Sequence, residues 1–196
     1  ATTFVPPPLL GSSKKAGIVF DPERAKKELK DSGWTSARPQ PLEIVCPNWD
    51  KPLVLAQFIQ QQLKKNLGIE ATIQPFDHKT FRAQLDLHVF PLFEASWGAD
   101  YPDADNFLSV FLGDAGNNRT TWKNARYDEL VLKARGSLKD ADRAKYFSEA
   151  QKILLEDDAV VLPLYYEPNL ALVKSRVKGL FINPLNYVYL RNVSLN

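Results

Sequence analysis

Apolar residues along this chain recur first at helical spacing, then in short β-like runs, then at helical spacing again. The first periodic stretch, "FDPERAKKELKDSG", carries Asp21 as a cap, Pro22 at the first helical position and Gly33 as a stop. Its apolar stripe is narrow, only Ala25 and Leu29, which predicts a surface helix. "LEIVC", residues 42–46, is a run of strand formers. "PLVLAQFIQQQLKKNLG" then puts Leu55, Phe58, Ile59, Leu63 and Leu67 on one helical face and ends at Gly68. Residues 69–74 alternate as a strand, a helix is expected from about Lys79, and "VFPLFEASW" is expected as a third strand. Strand, helix, strand, helix, strand is the grammar of an α/β unit.

The second half changes character. "PDADNFLSVFL" predicts a helix with Asp103 near its start. "NARYDELVLKARGS" and "DADRAKYFSEAQKILLEDD" predict two more, the latter with Ala144, Phe147, Ala150 and Leu154 on one face. "AVVLPLYYE" and "NLALVKS" predict a strand pair around a turn at Glu167, Pro168 and Asn169. A short alternating strand is expected at residues 187–190, inside an otherwise irregular end. "ATTFVPPPLLGSS" predicts a linker or an extended surface strand, because of its three consecutive prolines. The order shows no internal repeat and no low-complexity tract.

Composition narrows the function classes. The 196 residues suffice for one substantial domain or one lobe of a larger protein. With 25 basic against 23 acidic residues the net charge is +2, too little to attract nucleic acid or an anionic membrane. No apolar run is long enough to span a bilayer, which takes about 18 residues. Paired lysines at Lys14–Lys15, Lys26–Lys27 and Lys64–Lys65 are read as solvated faces. The single cysteine, Cys46, sits in a strand-like run and reads as an inert core thiol without an internal disulfide partner. The start does not have the charged and apolar regions of a signal peptide.

Catalytic signatures are missing from the sequence: no phosphate-binding loop, no Gly-rich dinucleotide fingerprint, no nucleophile elbow and no His-Glu-x-x-His. The two histidines, His78 and His88, flank an expected helix and read as solvated, so a histidine-based zinc site is not expected. No cofactor or metal is expected.

The chemistry concentrates in "ASWGADYPDADNFLSVFL". Asp100, Asp103 and Asp105 do not have the tight alternate spacing and turn glycine of a calcium loop, and Pro102 interrupts them. Asp103 and Asp105 read as the acidic start of a helix. Asp100 follows an apolar strand end and lies between Trp97 and Tyr101. A carboxylate there can hold an ammonium by a charge-assisted hydrogen bond, with cation–π attraction from the rings. Gly98 would let another backbone approach. A capped loop with core aromatics is the plainer alternative, and a carboxylate- or metal-dependent hydrolase using Asp100, Asp103 and Asp105 is a second.

Taken in order, these segments resemble the C-terminal lobe of solute-binding proteins for ABC importers, of the oligopeptide and dipeptide class. "FDPERAKKELKDSGW" is similar to that family's Asp-Pro-x-x-Ala-Lys helix. "VFPLFEASWGADYPDADNFLSVFL" is similar to its Trp-x-x-Asp-Tyr block, and "NARYDELVLKAR", "DRAKYFSEAQKILLEDDAVVLPLYY" and "VKGLFINPLNYVYLRNVS" follow in sequence. The resemblance implies an α/β, type II periplasmic-binding-protein-like lobe with a mixed β-sheet flanked by helices. It implies a non-enzymatic, extracytoplasmic binding component that captures peptides and delivers them to the permease subunits. It implies Asp100 as the partner of the peptide α-ammonium, and Ser96, Trp97 and Gly98 as the strand end along the peptide backbone. Tyr101 and Asn106 stand in the same block.

The match has departures. Ala104 replaces a common proline, and Glu94 stands where some oligopeptide binders carry a basic residue. Relatives also bind nickel complexes, haem or sugars, so a non-peptide solute stays open. Family members are longer and begin with another lobe. The resemblance therefore implies that residues 1–180 form the second ligand-binding lobe, and that 181–196 form a tail returning to a first lobe absent here.

Overall fold

A computed structural model describes residues 1–12, 17–34, 42–87 and 90–196. Lys14, Lys15 and His88 lie outside the described residues. The chain divides into two compact units: a sheet unit of Val19–Ser96 with Arg119–Thr121, and a helical unit of Ala1–Ile18, Trp97–Asn118 and Trp122–Asn196.

The sheet unit opens with α1, Pro22–Asp31, capped by the Asp21 carboxylate, which accepts from the Arg24 amide at 3.0 Å. None of its residues is buried, as the narrow stripe predicts. Gly33 takes a φ of +66°, just beyond the last turn. β1, Leu42–Pro47, and β2, Ala71–Phe76, pair in parallel with Leu42 opposite Ala71 and Ile44 opposite Ile73. α2, Asp50–Leu67, makes the crossover and ends at Gly68 in the left-handed region. Its sheet-facing stripe is Leu53, Ala56, Ile59 and Leu63, packed on Ile44, Cys46 and Ala71. Phe58, expected on that face, is exposed instead. The small side chain of Ala56 sets the contact line, and Phe58 falls outside it.

α3, His78–Asp86, is capped by Asp77, whose carboxylate accepts from the amides of Lys79 and Thr80 at 3.1 Å. It packs Phe81 and Leu85 on Val45. The expected third strand begins at Val89, outside the described residues; among the described ones it reduces to one parallel bridge, Val45 with Phe93, made by Val45 N donating to the Leu92 carbonyl and Glu94 N donating to the Val45 carbonyl. A ladder extends only where successive N–H and C=O groups meet a partner, and here they do so at a single position. Cys46 is fully buried, and burial followed by the charge of Glu94 pushes its thiol pKa up.

The helical unit is built on α4, Ala104–Leu108, continued by a 3₁₀ turn at Ser109–Phe111; α5, Ala125–Gly136; and α6, Asp140–Lys152, extended by a π turn at Ile153–Asp157. Its core joins Phe107, Leu108, Tyr127, Leu130, Val131, Phe147, Ala150 and Leu154. The buried Tyr127 hydroxyl donates to the Leu108 carbonyl at 2.6 Å. The proline-bearing start is not a loose surface strand. Gln151 of α6, itself buried, accepts from Val5 N at 3.0 Å and donates to the Gly11 carbonyl at 2.6 Å. Tyr166 donates to the Thr3 carbonyl at 2.8 Å, and Val5 is fully buried.

The strand pair expected over residues 159–175 forms no ladder among the described residues, and Leu162, Leu170 and Leu172 are exposed. Alternating apolar positions promise a half-buried strand, but a strand exists only where a partner takes its N–H and C=O groups. Beyond it, β3 (Val177–Lys178) pairs antiparallel with β6 (Ser194–Leu195), and β4 (Phe181–Ile182) with β5 (Val188–Tyr189). β5 lies inside the 187–190 stretch expected to alternate.

Candidate functional site

The aspartate-rich segment runs from an extended stretch into α4, and each of its carboxylates has a different environment. Asp103 is the helix cap: its backbone is extended, and its Oδ1 accepts from the Asp105 amide at 2.9 Å. Both its carboxylate oxygens also accept from Nη2 of Arg143 on α6, at 2.9 Å each. Arg143 is further held by a bond from Nε to the Ala134 carbonyl and lies over the Phe147 ring at 5.4 Å.

Asp105, 9% exposed, takes a two-nitrogen grip from Arg135 of α5, with Nε to Oδ1 at 2.9 Å and Nη2 to Oδ2 at 3.3 Å. The Tyr101 hydroxyl donates to the same Oδ2 at 2.7 Å. That hydrogen bond, then burial, raises the Tyr101 phenol above its ordinary pKa. The ring nevertheless remains 45% exposed.

Asn106, 5% exposed, presents a single oxygen to two donors. Its Oδ1 accepts from the Trp97 indole Nε1 at 3.1 Å and from the Asp100 amide at 3.1 Å. Trp97 and Ala99 turn inward onto the helical core, while Gly98 and Asp100 are exposed. The Asp100 carboxylate has no hydrogen bond or ion pair among the described residues. A Cβ added at Gly98 would meet nothing within 4 Å, so the backbone there is open to approach. Ser96 is exposed and belongs to the sheet unit.

Asp103 and Asp105 thus do begin a helix, and each is also consumed by its own arginine. Among the described residues no group of three or more His, Cys, Asp or Glu side chains could hold a metal ion, so Asp100, Asp103 and Asp105 do not form one. His78 opens α3, its ring centroid 5.6 Å from that of Trp49. Sequence reasoning missed Arg135 and Arg143. They stand 30 and 40 residues beyond their partners, on helices whose basic side chains look solvated until the helices are packed.

The chain thus combines a parallel β–α–β unit with a loop braced on α4 that leaves the Asp100 carboxylate exposed. The model of the bacterial extracellular solute-binding proteins, family 5 Middle, matches residues 1–119, and the chain belongs to that family. It is 32% identical to the probable deoxycholate-binding periplasmic protein YgiS of Escherichia coli, over 96% of this chain and 36% of that protein. It is 31% identical to the periplasmic oligopeptide-binding protein OppA of Salmonella typhimurium, over 87% of this chain and 32% of that one. The chain therefore spans about a third of the length of these curated relatives. Among solved structures, Haemophilus influenzae OppA in complex with the peptide RPPGFSPFR superposes with a TM-score of 0.77 at 27% identity, covering 89% of this chain and 34% of that one. The unliganded open form of the periplasmic murein tripeptide-binding protein MppA, at 23% identity and TM-score 0.75, shares the fold. No helix among the described residues is long and apolar enough to cross a membrane.

Proposed function

We propose that this chain is the ligand-anchoring lobe of a solute-binding protein that captures peptides outside the cytoplasmic membrane and hands them to ABC-importer permease subunits. Asp100 carries the reading. An exposed, unpaired carboxylate on a braced backbone is a charge held ready for a cation, and a peptide α-ammonium is the cation every free peptide offers. Trp97 and Tyr101 flank it, and the open backbone at Gly98 leaves room for the peptide main chain to approach. The relatives named for oligopeptides and dipeptides support the same ligand class. In this reading the protein captures its ligand and does not convert it, because Asp103 and Asp105 are neutralised by arginines and offer no second free carboxylate. Residues 1–180 act as the second lobe, and 181–196 return to a first one.

A second reading has one observation behind it: YgiS is named for deoxycholate, an anionic steroid. An unpaired Asp100 argues against it, since two like charges would meet without a counter-ion. Calorimetry on the natural full-length protein with trialanine, N-acetyl-trialanine and deoxycholate separates the two. The expected result is binding of trialanine and weaker binding of its acetylated form. Tight binding of deoxycholate with indifference to trialanine would sink the peptide reading.

A further inference from the structure

Asn106 is a positioning residue for the anchor: we infer that its side-chain oxygen sets where the Asp100 carboxylate stands, without touching the ligand itself. This rests on the reading of Asp100 as the ammonium partner. The two groups facing Oδ1 are both N–H donors, the Trp97 indole and the Asp100 amide, each at 3.1 Å, so the oxygen end of the amide must point to them. One acceptor atom thus ties the two ends of the 97–100 stretch to the same point in α4. Both lone pairs are used, and the residue is only 5% exposed, which leaves that oxygen no capacity for a ligand.

The tie point is itself immobilised. α4 is held at Asp103 by Arg143 and at Asp105 by Arg135, both charge-assisted. With its amide fixed, Asp100 retains only the rotation of its own short side chain, and that carboxylate is left unspent. Ordering a loop at the moment of binding costs affinity, and ordering it beforehand removes that cost. A preorganised carboxylate should therefore discriminate free from blocked amino groups more sharply than the same carboxylate on an untethered loop.

The test uses the natural full-length protein and the ratio of affinities for trialanine and N-acetyl-trialanine. In the wild type the ratio should favour the free amine by about tenfold to a hundredfold, as one charge-assisted hydrogen bond supports. Asp100→Asn should bring it close to one. Asn106→Leu keeps size but has no acceptor, and should cut the ratio by about tenfold while affinity for the acetylated peptide stays within about twofold. Asn106→Asp retains the acceptor and should restore the ratio. If the leucine variant does not fold, Asn106→Ser, too short to reach both donors, carries the same comparison. A wild-type ratio in Asn106→Leu, a parallel loss for both peptides, or an equal loss in Asn106→Asp would each overturn the inference while leaving Asp100 as the anchor. A wild type that holds both peptides equally, or neither, would instead overturn the reading of Asp100, and this inference with it.

Discussion

Arg143 meets Asp103 through one nitrogen, Nη2, placed 2.9 Å from both carboxylate oxygens. The pair joins α6 to the cap of α4, so one carboxylate satisfies a free helix amide and a guanidinium at once. Both side chains are mostly buried, at 20% and 29% exposure, so solvent screens the pair only in part. Arg143→Ala should cost about 1–3 kcal/mol, because it leaves Asp103 half-buried without its counter-ion. Asp103→Asn, which retains a capping oxygen, should cost less than Asp103→Ala by about 1 kcal/mol. Urea denaturation of the three variants measures both differences.

Tyr101 should make stability sensitive to alkali. Its pKa is raised in the fold, so the protonated phenol is the form the native state favours. That contribution is complete below the unfolded value, about 10, and is lost as pH climbs through the folded value. Tyr127, pushed up further by burial, acts in the same direction. Denaturation midpoints followed from neutral pH upward should fall above about pH 10, and fall less in Tyr101→Phe than in wild type. Parallel curves for the two proteins would show that Tyr101 contributes nothing there.

Gln151 should prove to be the latch of the N-terminal segment. Gln151→Leu strands the Val5 amide and the Gly11 carbonyl in the interior, at about 1–3 kcal/mol for each unsatisfied group. Limited proteolysis should then cut the first dozen residues sooner than in wild type. Gly11→Ala should do the same by another route, since its φ is +93° and an added Cβ would lie 2.8 Å from Cβ of Phe147.

The 196-residue chain alone should bind peptides weakly or not at all compared with a natural form as long as its relatives. A solute trap gains affinity by enclosing most of the ligand surface, and this chain spans about a third of the curated relatives' length. Calorimetry with one peptide against both forms checks it; equal tight binding by the short form would contradict it.

Local patterns made much of the molecule legible. Asp21 and Asp103 stand just before apolar-periodic runs and cap α1 and α4 as such residues do, and Gly68 ends α2. The β1–α2–β2 unit followed from alternation and helical spacing. Among the described residues the third strand pairs at one position and the strand pair over 159–175 at none, because alternation reports a face and not a partner.

The site divides the same way. The sequence by itself placed Asp100 between two aromatics and put Asp103 and Asp105 at a helix start, because capping and periodicity act over a few residues. Which carboxylate remains free was decided only by tertiary structure. Arg135 and Arg143 come from helices 30 and 40 residues downstream, and only the packing of α5 and α6 around α4 brings them to Asp105 and Asp103. Asn106 is nearer its partners in sequence, yet its two hydrogen bonds also depended on the fold: they need an oxygen standing within about 3 Å of two donors, and spacing along a chain does not specify direction.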